Sequence, residues 1–150
     1  MRIFVDTNVL FDIIAQREPF FAASRKLLMM QAFGDAELWA APQSYFDISY
    51  ILGKTQPADR LQHSLATSLS RINLCTTSHE DVLSALQSGW NDAEDALIGI
   101  SCRKSNADYL LTRDSKQQGF QHLGIPSYAP EDFFAMLESE FNITYEAVAM

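Results

Sequence analysis

Cysteine is scarce in this chain and long apolar runs are missing. Only two cysteines, Cys75 and Cys102, occur among 150 residues. Both sit in apolar surroundings without CxxC or metal-ligand spacing, so buried free thiols are expected rather than a disulfide or a zinc site. No apolar run approaches the roughly 20 residues that a membrane span requires. The opening apolar run is interrupted by Asp6, Asn8 and Asp12, which is not a signal-peptide pattern. A cytoplasmic protein with no membrane partner is expected. Basic residues are also few: 11 Lys and Arg stand against 19 Asp and Glu, a formal net charge of −8. That balance argues against a large basic surface as the main grip on nucleic acid. It does not exclude nucleic acid, because carboxylates gathered around a divalent cation add to the negative total while the loaded site attracts phosphate. No internal repeat, low-complexity segment or interdomain linker is present.

What is there is an ordinary soluble composition, 47% hydrophobic and 20% charged. A chain of this length buries roughly 68–70% of its unfolded surface in one core. Short apolar runs at residues 2–5, 38–41, 72–76, 109–112 and 127–128 read as strands. Between them, helices are expected over 8–15, 19–33, 42–52, 57–71, 78–87, 92–105 and 130–138, with a short turn over 115–120. Pro42 suits the first turn of its helix, Gly34-Asp35 and Gly53 are stops, and Leu61, Leu65 and Leu69 recur once per turn. Ser78-His79-Glu80-Asp81 resembles a capping box with Asp81 where Glu or Gln is preferred. The alternation predicts an α/β fold, one domain over residues 1–138, with a central parallel sheet flanked by helices on both faces. Residues 139–150 form an apolar tail expected to pack on the domain or on a partner, the first being the simpler reading.

Four acids fall at strand ends and helix starts: Asp6 after the first strand, Asp47 in the helix after the second, Asp95 early in the 92–105 helix, and Asp114 after the fourth strand. In a parallel sheet, ligands gather beyond the carboxyl ends of the strands. Hard divalent ions prefer oxygen ligands, and like charges brought together are costly unless neutralised, so four such acids would suit one or two cations if they meet. Each acid also has a local role open to it. Asp6 can cap the first helix, Asp114 can form an Asx-type turn, and Asp47 can face solvent. Asp92 reads as an N-cap, placing Asp95 at the third helical position, where the helix dipole favours an anion. Glu94 reads as solvated.

Taken in order, Val5-Asp6-Thr7-Asn8-Val9-Leu10, the acid in the Pro42 helix, Asp92-Ala93-Glu94-Asp95-Ala96-Leu97 and Ala107-Asp108-Tyr109-Leu110-Leu111-Thr112-Arg113-Asp114 resemble a PIN-domain ribonuclease of the VapC-like toxin type. The resemblance runs from Met1 to Leu137, and Gly124-Ile125-Pro126-Ser127-Tyr128-Ala129-Pro130-Glu131-Asp132-Phe133 is similar to that family's last strand and helix. It implies an endoribonuclease dependent on Mg²⁺ or Mn²⁺, with Asp6, Asp47, Asp95 and Asp114 as catalytic and metal-binding acids and Asn8, Asp92 and Thr112 in support. It also implies RNA as substrate and, for a toxin, an antitoxin protein as partner; a homodimer is a separate expectation that depends on an exposed apolar surface on the early helices. The family commonly has Glu where Asp47 stands, and the shorter arm reaches less far.

Two other functions compete. A catalytically weak PIN-like module would bind RNA or protein without cleaving. A haloacid-dehalogenase-like phosphatase also places an aspartate after its first strand, but the second acid expected two residues later is Asn8. Arg113 and Lys116 lie beside the acids and are expected to be solvated, with phosphate contact as the alternative. Arg25-Lys26 and Arg103-Lys104 read as solvated helix faces. His63, His79 and His122 show no ligand spacing, and Trp39 and Trp90 read as core or interface groups. Phe20, Phe21, Leu27, Leu28 and Met29 would offer a docking face if exposed and core packing if not.

Overall fold

The computed structural model describes residues 1–113, 120 and 124–146. Asp114, Lys116, His122 and the rest of the turn expected at 115–120, Phe120 excepted, lie outside the described residues, as do residues 147–150. Five short strands form one sheet: β1 (Arg2–Val5), β2 (Glu37–Ala40), β3 (Ile72–Leu74), β4 (Tyr109–Leu111) and β5 (Ser127–Tyr128). Their order is β3-β2-β1-β4-β5 and every pairing is parallel. Seven helices appear among the described residues: α1 (Thr7–Ala15), α2 (Phe21–Ala32), α3 (Pro42–Leu52), α4 (Ala58–Ser68), α5 (His79–Leu86), α6 (Ala93–Lys104) and α7 (Pro130–Phe141). The expected α/β architecture is therefore present. None of these helices is long and apolar enough to cross a membrane.

Strand alternation sorts the core into two layers, because successive side chains leave a strand on opposite faces. Ile3 and Val5 join Leu38, Ala40 and Leu111 beneath α1, α2, α3, α4 and α7. Phe4 and Leu110 face the other way, onto Ile98 and Cys102 of α6. Strands covered on both faces read as continuous apolar runs, as these do. Cys75 and Cys102 are free and buried, as expected.

The topology sets the position of the site. From β1 the chain moves outward to β2 and β3 on one side, then returns to β4 and β5 on the other. The order reverses between β1 and β4, which makes their carboxyl ends the topological switch point, where open parallel sheets form a crevice. Val5 pairs with Leu111 at that end, so residue 6 and residue 112 emerge side by side.

Core packing, not docking, accounts for most of the early apolar cluster: Leu27 is wholly buried, Phe21 nearly so, and both belong to the core. Exposed large apolar groups occur together on α3 (Phe46, Tyr50 and Ile51) and on α5 (Val82, Leu83 and Leu86), and Phe33 at the end of α2 is exposed as well. At the carboxyl end, α7 continues three residues past 138 to Phe141 and is capped by Asn142 in the left-handed region. Beyond it, Tyr145 stacks edge-on against Phe134 and donates its hydroxyl proton to Asp35 at 2.6 Å.

Candidate active site

Asp6 is the first residue beyond β1 and the N-cap of α1. Its carboxylate accepts the Thr7 N–H on Oδ1 at 2.7 Å and the Thr112 hydroxyl on Oδ2 at 2.8 Å. The capping carboxylate is also buried: Asp6 is 7% exposed and Thr112 wholly buried. Hydrogen bonds to a buried carboxylate from fixed donors hold its orientation. The Thr7 hydroxyl lies 2.6 Å from that of buried Ser44, which ties the start of α1 to the first turn of α3. Asn8 accepts the Arg113 N–H at 3.2 Å, joining α1 to the chain leaving β4.

Asp92 is the N-cap of α6, as the sequence suggested, and accepts the N–H groups of Glu94 at 3.0 Å and Asp95 at 3.2 Å. Asp95 thereby occupies the third helical position, where the dipole favours its charge, and it is buried. Asp47 is half-buried on α3, one turn past buried Ser44. The unforeseen member is Glu94. It retains solvent exposure, but partial burial and the neighbouring carboxylates of Asp47, Asp6 and Asp92 push its pKa up to about 7. Crowding of like charges makes ionisation unfavourable, and the neutral form can donate a hydrogen bond to Asp47. The carboxylates of Asp6, Asp47 and Asp92 thus act on Glu94 from three elements. Asp114, the remaining acid expected here, lies outside the described residues. Among those described, no three acidic, histidine or cysteine side chains are arranged to hold a metal ion. The donor chemistry, carboxylate and hydroxyl oxygen only, suits a hard divalent cation.

Arg113 is neither solvated nor free to meet phosphate. Its side chain is 13% exposed and bound to Asp12 and Glu131. Lys104 pairs with Asp81 at 2.8 Å across α5 and α6, and the Lys26 ammonium lies over the Phe134 ring. Asp81 completes the capping box with Ser78. Trp90 packs obliquely on Phe120.

Three comparisons place this geometry among known proteins. A family model described as PIN domain matches residues 2–116. A chain of VapBC2 from Rickettsia felis, solved bound to a DNA fragment from their promoter, superposes with a TM-score of 0.61 at 18% identity, over 85% of this chain and 97% of that one. For VapBC-1 from nontypeable Haemophilus influenzae the TM-score is 0.62 at 14% identity, covering 87% and 99%. For FitAcB from Neisseria gonorrhoeae it is 0.54 at 14%, covering 86% and 98%. At these identities the likeness is one of fold. No curated protein matches the sequence.

Proposed function

Because the chain belongs to the PIN domain family, we propose that it is a divalent-metal-dependent endoribonuclease and the toxin of a toxin–antitoxin pair, acting in the cytoplasm. The observation that supports this most is the gathering of Asp6, Asp47, Asp92 and Glu94 at the switch point, where partial burial and then the neighbouring carboxylates raise Glu94 to about 7. Such crowding is costly in the absence of a cation. The family assignment displaces the phosphatase alternative.

In this reading Asp6, Asp47, Asp95 and Asp114 hold Mg²⁺ or Mn²⁺, with Asn8, Asp92 and Thr112 in support. When bound, the ion supplies positive charge against the scissile RNA phosphate and makes nearby water more acidic. The chain's own contribution is preorganisation. Thr7 and Thr112 fix the two oxygens of Asp6 before any ligand arrives, and Asp92 fixes the turn that carries Glu94 and Asp95. Before an ion binds, Glu94 can share a proton with Asp47 near neutral pH; a bound cation would favour its ionised form. The exposed Phe46, Tyr50 and Ile51 on α3 flank Asp47 and form a face for an antitoxin protein.

The test follows cleavage of a mixed RNA with Mn²⁺, Mg²⁺ or chelator, alongside circular dichroism. Asp6→Asn and Asp95→Asn each remove an anionic ligand at nearly constant size. Both should keep the fold and lose cleavage by more than about 100-fold, since outer-shell partners alone are worth roughly 10- to 100-fold. Undiminished, chelator-resistant cleavage by folded Asp6→Asn protein would rule out this centre. Manganese binding without cleavage by the parent would identify a binding module instead.

A further inference from the structure

Arg113 is held from three sides just where the sheet ladder stops. The β1–β4 pairing ends at Val5 and Leu111, and the next strand-like bond is Thr112 N–H to Tyr128 O at 2.9 Å. Beyond that point the Arg113 main chain is bound to Asn8 and its guanidinium takes over. Nε donates to Asp12 Oδ2 at 2.5 Å, while Nη1 and Nη2 donate to the two oxygens of Glu131 at 2.7 Å and 2.9 Å. The guanidinium also lies over the Phe20 ring, 4.1 Å from its centroid. Asp12 is wholly buried and has a second partner, Arg17, at 2.8 Å. Two carboxylates therefore face two guanidinium groups, and no net positive charge remains to attract a phosphate.

This arrangement is stronger than a surface ion pair. A planar guanidinium bound in a bidentate fork, stacked on a ring and largely shielded from water, loses little further freedom and holds one geometry. Its partners come from the last turns of α1, the α1–α2 connection and the first turn of α7. The segment it fixes contains Thr112, whose hydroxyl holds Asp6, and the N–H held by Asn8.

We propose that Arg113 is a positioning residue for the Asp6 carboxylate: locked by Asp12 and Glu131, it pins the exit of β4, and Thr112 and Asn8 transmit that placement to the start of α1. Its consequence for cation binding rests on the nuclease reading above, whereas its consequence for the backbone does not. The helix α7 thereby becomes part of what assembles the site.

The experiment compares full-length parent, Arg113→Met, Arg113→Lys and Asp6→Asn, all well below their melting temperatures. Two readouts are taken: amide hydrogen exchange at Asp6, Thr7, Thr112 and position 113, and Mn²⁺ affinity from the free-ion paramagnetic resonance signal. Arg113→Met should speed exchange at these amides about tenfold or more while leaving β2 and β3 unchanged, and should weaken Mn²⁺ binding about 10- to 100-fold. Arg113→Lys should fall between, since it keeps the charge and loses the fork. Folded Arg113→Met protein with parental exchange or parental Mn²⁺ affinity overturns the proposal, even if it melts earlier. If parent and Asp6→Asn bind Mn²⁺ equally poorly, the nuclease reading fails and exchange alone decides: faster exchange at Asp6 and Thr112 supports positioning, unchanged exchange overturns it. Should Arg113→Met not fold, Glu131→Ala, which leaves the Asp12 pair in place, is read by the same criteria.

Discussion

Replacing Thr112 with Val removes a hydroxyl from the candidate site. Valine keeps the shape and β-branching of threonine, so strand preference and packing are nearly unchanged, and the hydroxyl donor to Asp6 at 2.8 Å is lost. Thr112 is wholly buried and Asp6 almost so, which leaves water poorly placed to replace the donor. A hydrogen bond to a charged partner contributes about 1.5–3 kcal/mol net. For a chain of this size, where about 1 kcal/mol moves the midpoint by roughly 2–4 °C, Tm should fall by about 3–12 °C. Asp6 keeps the Thr7 N–H at 2.7 Å, so the lower half of that range is expected. Thr112→Ser restores the hydroxyl and removes one buried methyl group, a loss of about 0.8 kcal/mol by transfer alone, and should melt between parent and Thr112→Val. Calorimetric melts of the three proteins settle the order. Repeating Thr112→Val in an Asp6→Asn background supplies a second check: neighbours that share a bond are non-additive by about 0.5–3 kcal/mol, so the loss should shrink there. A Thr112→Val protein melting within about 1 °C of the parent, or losses that simply add, would refute the claim that this hydroxyl holds the carboxylate.

Asp47→Glu supplies the longer arm that the family resemblance implies at this position; Asp47 is half-buried, so one methylene can be accommodated, and RNA cleavage should equal or exceed the parent's, with a drop of more than about tenfold pointing to overpacking instead. Asp92→Ala removes the acceptor for the Glu94 and Asp95 N–H groups and should destabilise by about 0.5–2 kcal/mol in urea melts, with Asp92→Asn recovering most of it; an Asn variant as weak as Ala would refute the capping role. Lys104 and then the Ser78 backbone hold the Asp81 carboxyl below its ordinary 3.8. Its contribution to stability is therefore complete above that value and disappears as pH falls through the lower, folded-state pKa. The stability difference between parent and Asp81→Asn should be flat at neutral pH and shrink in acid, and a difference independent of pH would show that the pairing is inert.

Strand ends were legible in the sequence and helix partnerships were not. Asp6 and Thr112 could be placed because a parallel sheet delivers the residues after its strands to one edge, whatever else the chain does. Likewise Pro42, Ser78 and Asp92 mark helix starts by chemistry that acts within one turn. Where side chains bend the chain locally in ways that a periodicity cannot register, the boundaries moved. The helix expected to reach residue 71 stops at Ser68, since the hydroxyls of Thr67, Ser68 and Ser70 bond back to carbonyls of the preceding turn, offering the backbone an alternative to the helix. Leu69, on the apolar stripe by spacing, is left exposed.

The same limit explains Glu94, Arg113 and the apolar surface. Asp12 and Arg113 are 101 positions apart, and Glu94 meets Asp47 only because α3 and α6 both begin at the carboxyl edge of the sheet; no spacing rule within either helix encodes that meeting. On α3 the ambiguity is built into the sequence itself. Tyr45 and Ile48 are buried while Phe46, Tyr50 and Ile51 are exposed, so both faces are apolar and hydrophobic period cannot say which turns inward. Contacts with α1 and α4 decide it, and they leave Asp47 on the boundary between the buried face and the exposed one. A carboxylate there can reach the acidic centre while its neighbours remain available to a partner. Cover of α3 by another protein would then reach the site through Asp47, and catalytic control and partner binding would share one helix.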